Sequence, residues 1–142
     1  MRLITLSMLL LGACSKTQPT PPAATQLFAG EGRNALCLSG PAEQQRGGFI
    51  VYGGGDSNCS AQGRIERAGA GFALIPSGEG ACRIAFTITA DRLLLGPVEP
   101  SCAYYCGPGA SFGGARFGRV TSSDATAAAN NPMTDFAGEP LC

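Results

Sequence analysis

The chain has 142 residues, with ten basic and ten acidic side chains, no histidine, no tryptophan, 21 glycines and seven cysteines. This length fits one small domain, and the balanced charge argues against a nucleic-acid partner, because such partners are held by a basic excess. The absence of histidine excludes every mechanism in which an imidazole of this chain acts as base or metal ligand.

The N-terminal residues have the pattern of a secretory signal. Arg2 precedes an apolar run at 3–11, interrupted by one threonine and one serine. Nine residues are too few to span a bilayer, and this length and position are typical of a signal peptide. We therefore predict a signal at 1–13 and exclude it from the fold.

The end of this signal carries a second motif. Leu11-Gly12-Ala13-Cys14 resembles the lipobox of bacterial lipoproteins. The resemblance implies cleavage before Cys14 and attachment of palmitate-type acyl chains to that residue, which would anchor the protein stably in a membrane. Ser15 follows the cysteine, and by resemblance to the sorting rule of enteric bacteria, in which an aspartate at this position favours the inner membrane, it implies the outer membrane. The expected location is the bacterial cell envelope, lipid-anchored at the outer membrane and facing the periplasm.

A tether is predicted between the anchor and the folded domain. Residues 15–26 contain three prolines and no large apolar side chain, a composition typical of an extended linker. With the lipidated Cys14 this gives a tether at 14–26 and a single domain at 27–142.

The domain consists of short β-rich runs separated by glycine-rich turns. The clearest is 82–89, where Cys, Ile, Phe and Ile alternate with Arg, Ala, Thr and Thr, which indicates a strand with one buried face. Turns at intervals of roughly 8–12 residues predict a mainly β fold, a small antiparallel meander forming a sandwich or barrel. One or two short helical turns are expected near the C-terminus, at 125–129 and 133–137. The predicted strands are 36–38, 48–52, 63–68, 72–75, 82–89, 92–95 and 115–120.

Six cysteines remain after Cys14 is assigned to lipid, and an even number in an exported domain predicts disulfides. Six cysteines allow fifteen pairings. We favour Cys59 with Cys82, since both lie near the starts of predicted strands on either side of the hairpin at Phe72, and a bridge that holds Cys142 to the body. A zinc site using Cys102 and Cys106 is the weaker alternative. Structural zinc sites usually have two close pairs of Cys or His ligands, whereas this chain has no histidine and no second close pair of cysteines. The six are Cys37, Cys59, Cys82, Cys102, Cys106 and Cys142.

Motifs for catalysis are incomplete. Ser111 lies in a Gly-x-Ser-x-Gly pattern, but the chain has no histidine to deprotonate it, so we interpret it as a loop residue. The stretch 56–60 begins like a calcium loop and lacks its glycine and its final glutamate. A pair of carboxylates from Glu66, Glu79, Asp91 and Glu99 is the remaining route to an enzyme, a glycan hydrolase. No cofactor or metal is predicted, and an enzyme is not favoured.

One segment is rich in aromatic and cysteine residues and is the predicted binding region. A cysteine-bounded loop that displays Tyr offers contact area at low entropic cost. The alternative, which we weigh somewhat higher for the tyrosines, is that they close one end of the barrel. The candidate binding residues are Tyr104, Tyr105, Phe112 and Arg116.

The stretch Cys-Ala-Tyr-Tyr-Cys-Gly-Pro-Gly-Ala-Ser-Phe at 102–112 resembles uncharacterised six-cysteine envelope lipoproteins. In architecture alone the chain looks like small β-barrel lipoproteins that inhibit lysozyme in the periplasm, and no inhibitory residue is carried over. The expected function is a non-catalytic binding or inhibitor-like module whose partner is an envelope protein or a cell-wall component. The alternatives are the glycan hydrolase and a purely structural envelope protein.

Overall fold

The computed structural model describes residues 25–78, 80–121, 134–135 and 137–142. The predicted signal, the lipobox cysteine, and the tether up to residue 24 lie outside the described residues. So does the helical turn predicted at 125–129.

The described residues form an eight-stranded antiparallel barrel, so the fold class is confirmed and the open choice between sandwich and barrel is decided for the barrel. Each strand pairs with its neighbours along the chain, and β8 closes the barrel by pairing with β1. The strands are β1 (Gln26–Gly30), β2 (Ala35–Ser39), β3 (Arg46–Tyr52), β4 (Asn58–Ala68), β5 (Gly71–Pro76), β6 (Ile84–Thr89), β7 (Arg92–Leu95) and β8 (Arg116–Arg119).

Strand β1 was not predicted. It begins at Gln26, which pairs with Leu38 of β2, so the barrel starts one residue before the predicted boundary at 27. The predicted strand at 82–89 is shorter than expected, because β6 begins only at Ile84. The two residues before it belong to the approach from β5, where Cys82 is already buried.

The alternation that predicted β6 also places its side chains. Ile84 and Phe86 are buried, while the residues between and after them are exposed or half-buried, because successive side chains of a strand point to opposite faces. The turn to β7 passes through Ala90, which has a φ of 53°. Such a left-handed residue is typical of a tight hairpin turn.

The interior of the barrel is filled with side chains and not with solvent, as expected for eight strands. Phe28 and Phe49 are completely buried there, together with aliphatic side chains from most strands. Phe112 joins this core from the segment between β7 and β8, with its ring 5.3 Å from that of Phe49 in an edge-to-face arrangement.

The last residues form a strap across the outside of the barrel. Leu141 is buried against Cys37 and Ile50 on the outer faces of β2 and β3. The strap fits closely because Gly48 lies beneath it, and a Cβ atom there would overlap the carbonyl oxygen of Leu141. We call the described residues 137–142 the C-terminal strap.

The predicted helical turn at 133–137 is wrong for the residues that the structure describes. Thr134 forms an isolated β-bridge with Pro140, and residue 137 lies in the turn between them. Asp135 stabilises this turn, because its Oδ1 accepts hydrogen bonds from the backbone N–H groups of residues 137 and 139. Two short 3₁₀ helices occur elsewhere, Ala42–Gln44 and Pro100–Tyr105.

Candidate functional site

A groove forms where β4 extends beyond its neighbour. Strand β5 ends at Pro76, which pairs with Gly63, so the first residues of β4 have no strand partner on that side. Cys106 occupies this position instead, through an isolated β-bridge to Cys59, and the backbone N–H of Gly107 donates to the carbonyl of Asn58. The segment that follows the second 3₁₀ helix is thereby fixed beside the start of β4.

Disulfides reinforce this arrangement, and all six cysteines of the domain are paired. The pairs are Cys37–Cys142, Cys59–Cys106 and Cys82–Cys102. The first cysteine therefore joins the last, and the other two bridges are nested inside that loop. The expected bridge from Cys142 to the body is confirmed.

The predicted pairing of Cys59 with Cys82 is wrong. Cys82 is bonded to Cys102 in the second 3₁₀ helix, and Cys59 is bonded to Cys106, which directly follows that helix. That helix passes over both positions, which the order of the strands along the chain did not indicate. Cys102 and Cys106 belong to separate disulfides, so their sulfurs are not available as the ligands of the alternative zinc site.

The two adjacent tyrosines have different environments. Tyr105 is half-buried and packs against the main core, whereas Tyr104 is 90% exposed. The reason is the periodicity of a 3₁₀ helix, in which residues three apart share a face. Cys102, fully buried in its disulfide, therefore places Tyr105 on the inner face and leaves Tyr104 on the outer one. The alternative that both tyrosines close the barrel fails for Tyr104.

The groove beside Tyr104 has a volume of about 780 Å³ and is open to solvent. The two tyrosine rings stand perpendicular, with their centroids 5.4 Å apart. The opposite wall comes from the turn between β3 and β4 and from the first residues of β4. The lining residues are Gly54, Asp56, Ser57, Asn58, Ser60, Tyr104, Tyr105, Cys106, Gly107 and Pro108. We call this site the Tyr104 groove.

Short polar side chains line the groove opposite the tyrosines. The side chains of Asp56, Asn58 and Ser60 make no hydrogen bond or ion pair within the described residues. Ser57 differs, because its hydroxyl is buried against Gly107 and also lacks a partner there. A buried hydroxyl without a partner costs about 1–3 kcal/mol.

The sequence reasoning missed these polar residues. The stretch 56–60 was interpreted only as a failed calcium loop and a turn, but the turn is confined to residues 55–56, and residues 58–60 are already part of β4. Its place opposite Tyr104 depends on the bridge between Cys59 and Cys106. The sequence contained one signal that could have linked this stretch to Tyr104, namely that Cys59 lies within it. That signal could be used only if the pairing of Cys59 with Cys106 was known.

The other two candidate binding residues do not join the Tyr104 groove. Phe112 is 1% exposed in the barrel core, so its ring is not presented to a partner, because the loop that carries it folds inward. Arg116 lies on the outer face of β8 and lines a separate groove of about 360 Å³ beside Leu94. The two grooves share no lining residue.

The carboxylates proposed for a hydrolase are dispersed over different elements. Asp91, in the turn before β7, pairs with Arg119 at 3.3 Å, and Glu99 precedes the second 3₁₀ helix. Glu66 lies on β4, and Glu79 lies outside the described residues. Of the three described acids, none lines either groove.

Glu66 is held in its ionised form. Arg64 Nε donates to its Oε1 at 2.8 Å, and Arg83 Nη1 donates to its Oε2 at 3.2 Å. The hydrogen bond from Arg64 is the main cause that lowers the pKa of this carboxyl, with a smaller contribution from Arg83. A general acid needs a raised pKa, so Glu66 is poorly suited to that role.

Two further motifs can be placed. Ser111 lies in a loop as predicted, and its Oγ accepts a hydrogen bond from the N–H of Gly113 at 3.2 Å. Within the described ranges, no cluster of three His, Cys, Asp or Glu side chains is arranged to hold a metal ion. No helix in this part of the chain has the length and apolar character needed to cross a membrane.

The chain was compared with known proteins at three levels. No family model, curated protein or solved structure matches it.

Proposed function

We propose that this protein is a non-catalytic binding module of the bacterial cell envelope. In this proposal Cys14 carries the lipid anchor, and the barrel presents the Tyr104 groove to an envelope protein or a cell-wall component. The architecture of an eight-stranded barrel with three disulfides is consistent with an inhibitor-like role, in which a rigid domain binds its target without chemistry.

The observation that carries the proposal is the exposure of Tyr104. A tyrosine side chain that is 90% exposed leaves apolar area in water, which is unfavourable by about 25 cal/mol per Å². Tyrosine is also among the residues enriched at the centres of binding interfaces. Its neighbour Tyr105 shows that the same helix can bury a tyrosine, so the exposure is not imposed by a lack of core.

The groove is also pre-organised. The second 3₁₀ helix is joined to the barrel at both ends, by Cys82–Cys102 and Cys59–Cys106. A surface that is already ordered pays less conformational entropy when it binds. The two bridges therefore favour recognition through this helix over a role for it as a loose connection.

The composition of the groove favours binding over hydrolysis. The two-carboxylate mechanism of glycan hydrolysis requires a pair of acids on either side of the scissile bond. Asp56 is the single carboxylate among the described lining residues. The chain has no histidine to substitute as an acid or base.

The anchor is tested separately from the groove. Between Cys14 and the start of β1 at Gln26 there are eleven residues, and an extended chain of that length reaches roughly 35 Å at about 3.1 Å per residue. Full-length protein expressed in a bacterium supplied with an alkyne-labelled fatty acid is expected to incorporate label. Cys14→Ala should lose it, and label that persists in this variant would refute the anchor.

Binding is tested with full-length protein isolated from the envelope in detergent under oxidising conditions. The immobilised protein is exposed to envelope extract and to lysozyme, and retained material is identified by mass spectrometry. We expect one component at a stoichiometric ratio, lost with Tyr104→Ala and kept with Leu94→Ala. Leu94 is a matched control because it is the other large apolar side chain among the described residues that is exposed, at 40%, and it lies in the separate groove.

Two outcomes would contradict binding through the Tyr104 groove. A purely structural envelope protein predicts that nothing is retained in stoichiometric amount. Retention that Tyr104→Ala leaves unchanged would mean that another surface binds the partner.

A further inference from the structure

We infer that the ligand of the Tyr104 groove is a neutral glycan chain, with a sugar ring lying on the face of Tyr104. This inference depends on the proposed binding function of the same groove and specifies its ligand class.

The apolar surface in the groove is small and isolated. Among the described residues, the large apolar side chains that are exposed are Tyr104 and Leu94, and they line different grooves. Protein partners are usually held by a cluster of apolar and aromatic anchors surrounded by a rim that excludes water. One exposed ring, with the half-buried ring of Tyr105 perpendicular to it and short polar side chains in the same lining, instead matches a sugar, which has one apolar face of C–H groups and an edge of hydroxyls.

The polar wall supplies the partners that sugar hydroxyls need. Asp56 accepts hydrogen bonds, Ser60 both donates and accepts, and Asn58 offers an amide that does both. None of these three side chains has a partner within the described residues. A ligand with several hydroxyls can therefore bond to them without breaking an existing hydrogen bond of the protein.

The charge of the groove selects against acidic ligands. Asp56 is the one charged side chain among the described lining residues. Two like charges 4 Å apart repel each other by about 1 kcal/mol even in water. A neutral glycan pays no such penalty, whereas a carboxylated or phosphorylated one does.

The dimensions of the groove fit a chain more than a single sugar. Its volume of about 780 Å³ lies in the upper part of the range of roughly 300–1,000 Å³ that is usual for small-molecule sites. The groove is open to solvent, so a chain longer than one sugar can extend beyond it. Tyr104, Pro108 and Asp56 all belong to its lining.

The experiment titrates full-length protein in detergent with soluble glycans of defined charge. The probes are a β-1,4-linked hexamer of N-acetylglucosamine, a hexamer of α-1,4-linked glucose, and a hexamer of galacturonic acid as the anionic comparison. Binding is followed by calorimetry and by tyrosine fluorescence, to which Tyr104 is one of three contributors because the chain has three tyrosines and no tryptophan.

We expect at least one neutral hexamer to bind more tightly than the anionic one. Tyr104→Ala should weaken this binding at least tenfold, whereas Tyr104→Phe, which keeps the ring, should remain within about threefold, a change of roughly 0.6 kcal/mol. Leu94→Ala should bind as the unmodified protein does. Asp56→Asn should improve binding of the galacturonate hexamer by about fivefold, since it removes a repulsion of about 1 kcal/mol.

Different results distinguish the failure of this inference from the failure of the binding function. The glycan inference is wrong if no neutral hexamer binds at concentrations up to about 10 mM, which is tenfold above a dissociation constant of about 1 mM. If a protein is nevertheless retained through Tyr104, the binding function stands. Glycan binding that Tyr104→Ala does not weaken overturns the inference as well. If neither a glycan nor an envelope component is retained, both are wrong.

Discussion

The C-terminal strap offers the sharpest test of how this barrel is stabilised. The perturbation is the double variant Cys37→Ala with Cys142→Ala, which removes the bridge without leaving a free thiol. This bridge closes a loop with a sequence separation of 105 residues. By restricting the unfolded chain, a bridge that closes such a loop contributes about 4.7 kcal/mol to the free energy of unfolding.

Nesting reduces this figure. The bridges Cys59–Cys106 and Cys82–Cys102 lie inside the same loop and already shorten the path between its ends. Because the entropy depends on the logarithm of loop length, the reduction is modest, and we expect the double variant to lose about 4 kcal/mol. Exposure of Leu141, now buried against the outer faces of β2 and β3, adds to this loss.

The assay is equilibrium unfolding in guanidinium chloride under non-reducing conditions, followed by tyrosine fluorescence. The matched comparison is Cys82→Ala with Cys102→Ala, whose loop has a sequence separation of 20 and should be worth about 3 kcal/mol. The strap variant should also show a steeper dependence on denaturant, since its unfolded chain exposes more surface. A loss smaller than that of the short-loop variant would refute the loop-closure reasoning.

Three further changes test the core, the strap and the surface charges. Phe112→Ala should cost about 3–5 kcal/mol of unfolding free energy, because its ring is buried in the barrel; a loss below about 1 kcal/mol in chemical unfolding would place it outside the core. Gly48→Ala should destabilise the protein by about 1–3 kcal/mol, because the added Cβ would overlap the carbonyl oxygen of Leu141. An unchanged midpoint of chemical unfolding would contradict this close contact between the strap and β3. Glu66→Gln should be less stable than the unmodified protein at pH 7. The folded pKa of Glu66 is lowered by Arg64, so its contribution is present above the ordinary carboxyl pKa and disappears as the pH falls through the lowered value; a difference that persists unchanged in acid would be evidence against it.

Local patterns explain why most strands could be predicted. The alternation at 82–89 and the glycine-rich turn at 53–56 are properties of neighbouring residues, and such signals do not depend on distant parts of the chain. Strand β1 was missed because it directly follows a segment rich in proline and threonine, which predicted a tether up to residue 26. Its partner β8 lies at the opposite end of the barrel sequence, so no local pattern indicates this pairing.

The candidate site could be predicted only in part. The sequence singled out the segment that contains Tyr104, because two cysteines and two tyrosines lie close together there. It could not separate Tyr104 from Tyr105, since their difference arises from the helical periodicity relative to Cys102. It also grouped Phe112 with them, although the same segment turns that ring into the core.

By itself the sequence determined the class of fold, the six cysteines available for disulfides within the domain, and the absence of histidine chemistry. These depend on residue type and on spacing along a few neighbouring positions. Only the tertiary structure decided that the disulfides are nested, that Cys59 meets Cys106, and that the polar start of β4 faces Tyr104. The segment between β7 and β8 folds back beside the start of β4 and brings residues 47 positions apart into contact, and nothing in either stretch alone specifies the other as its partner.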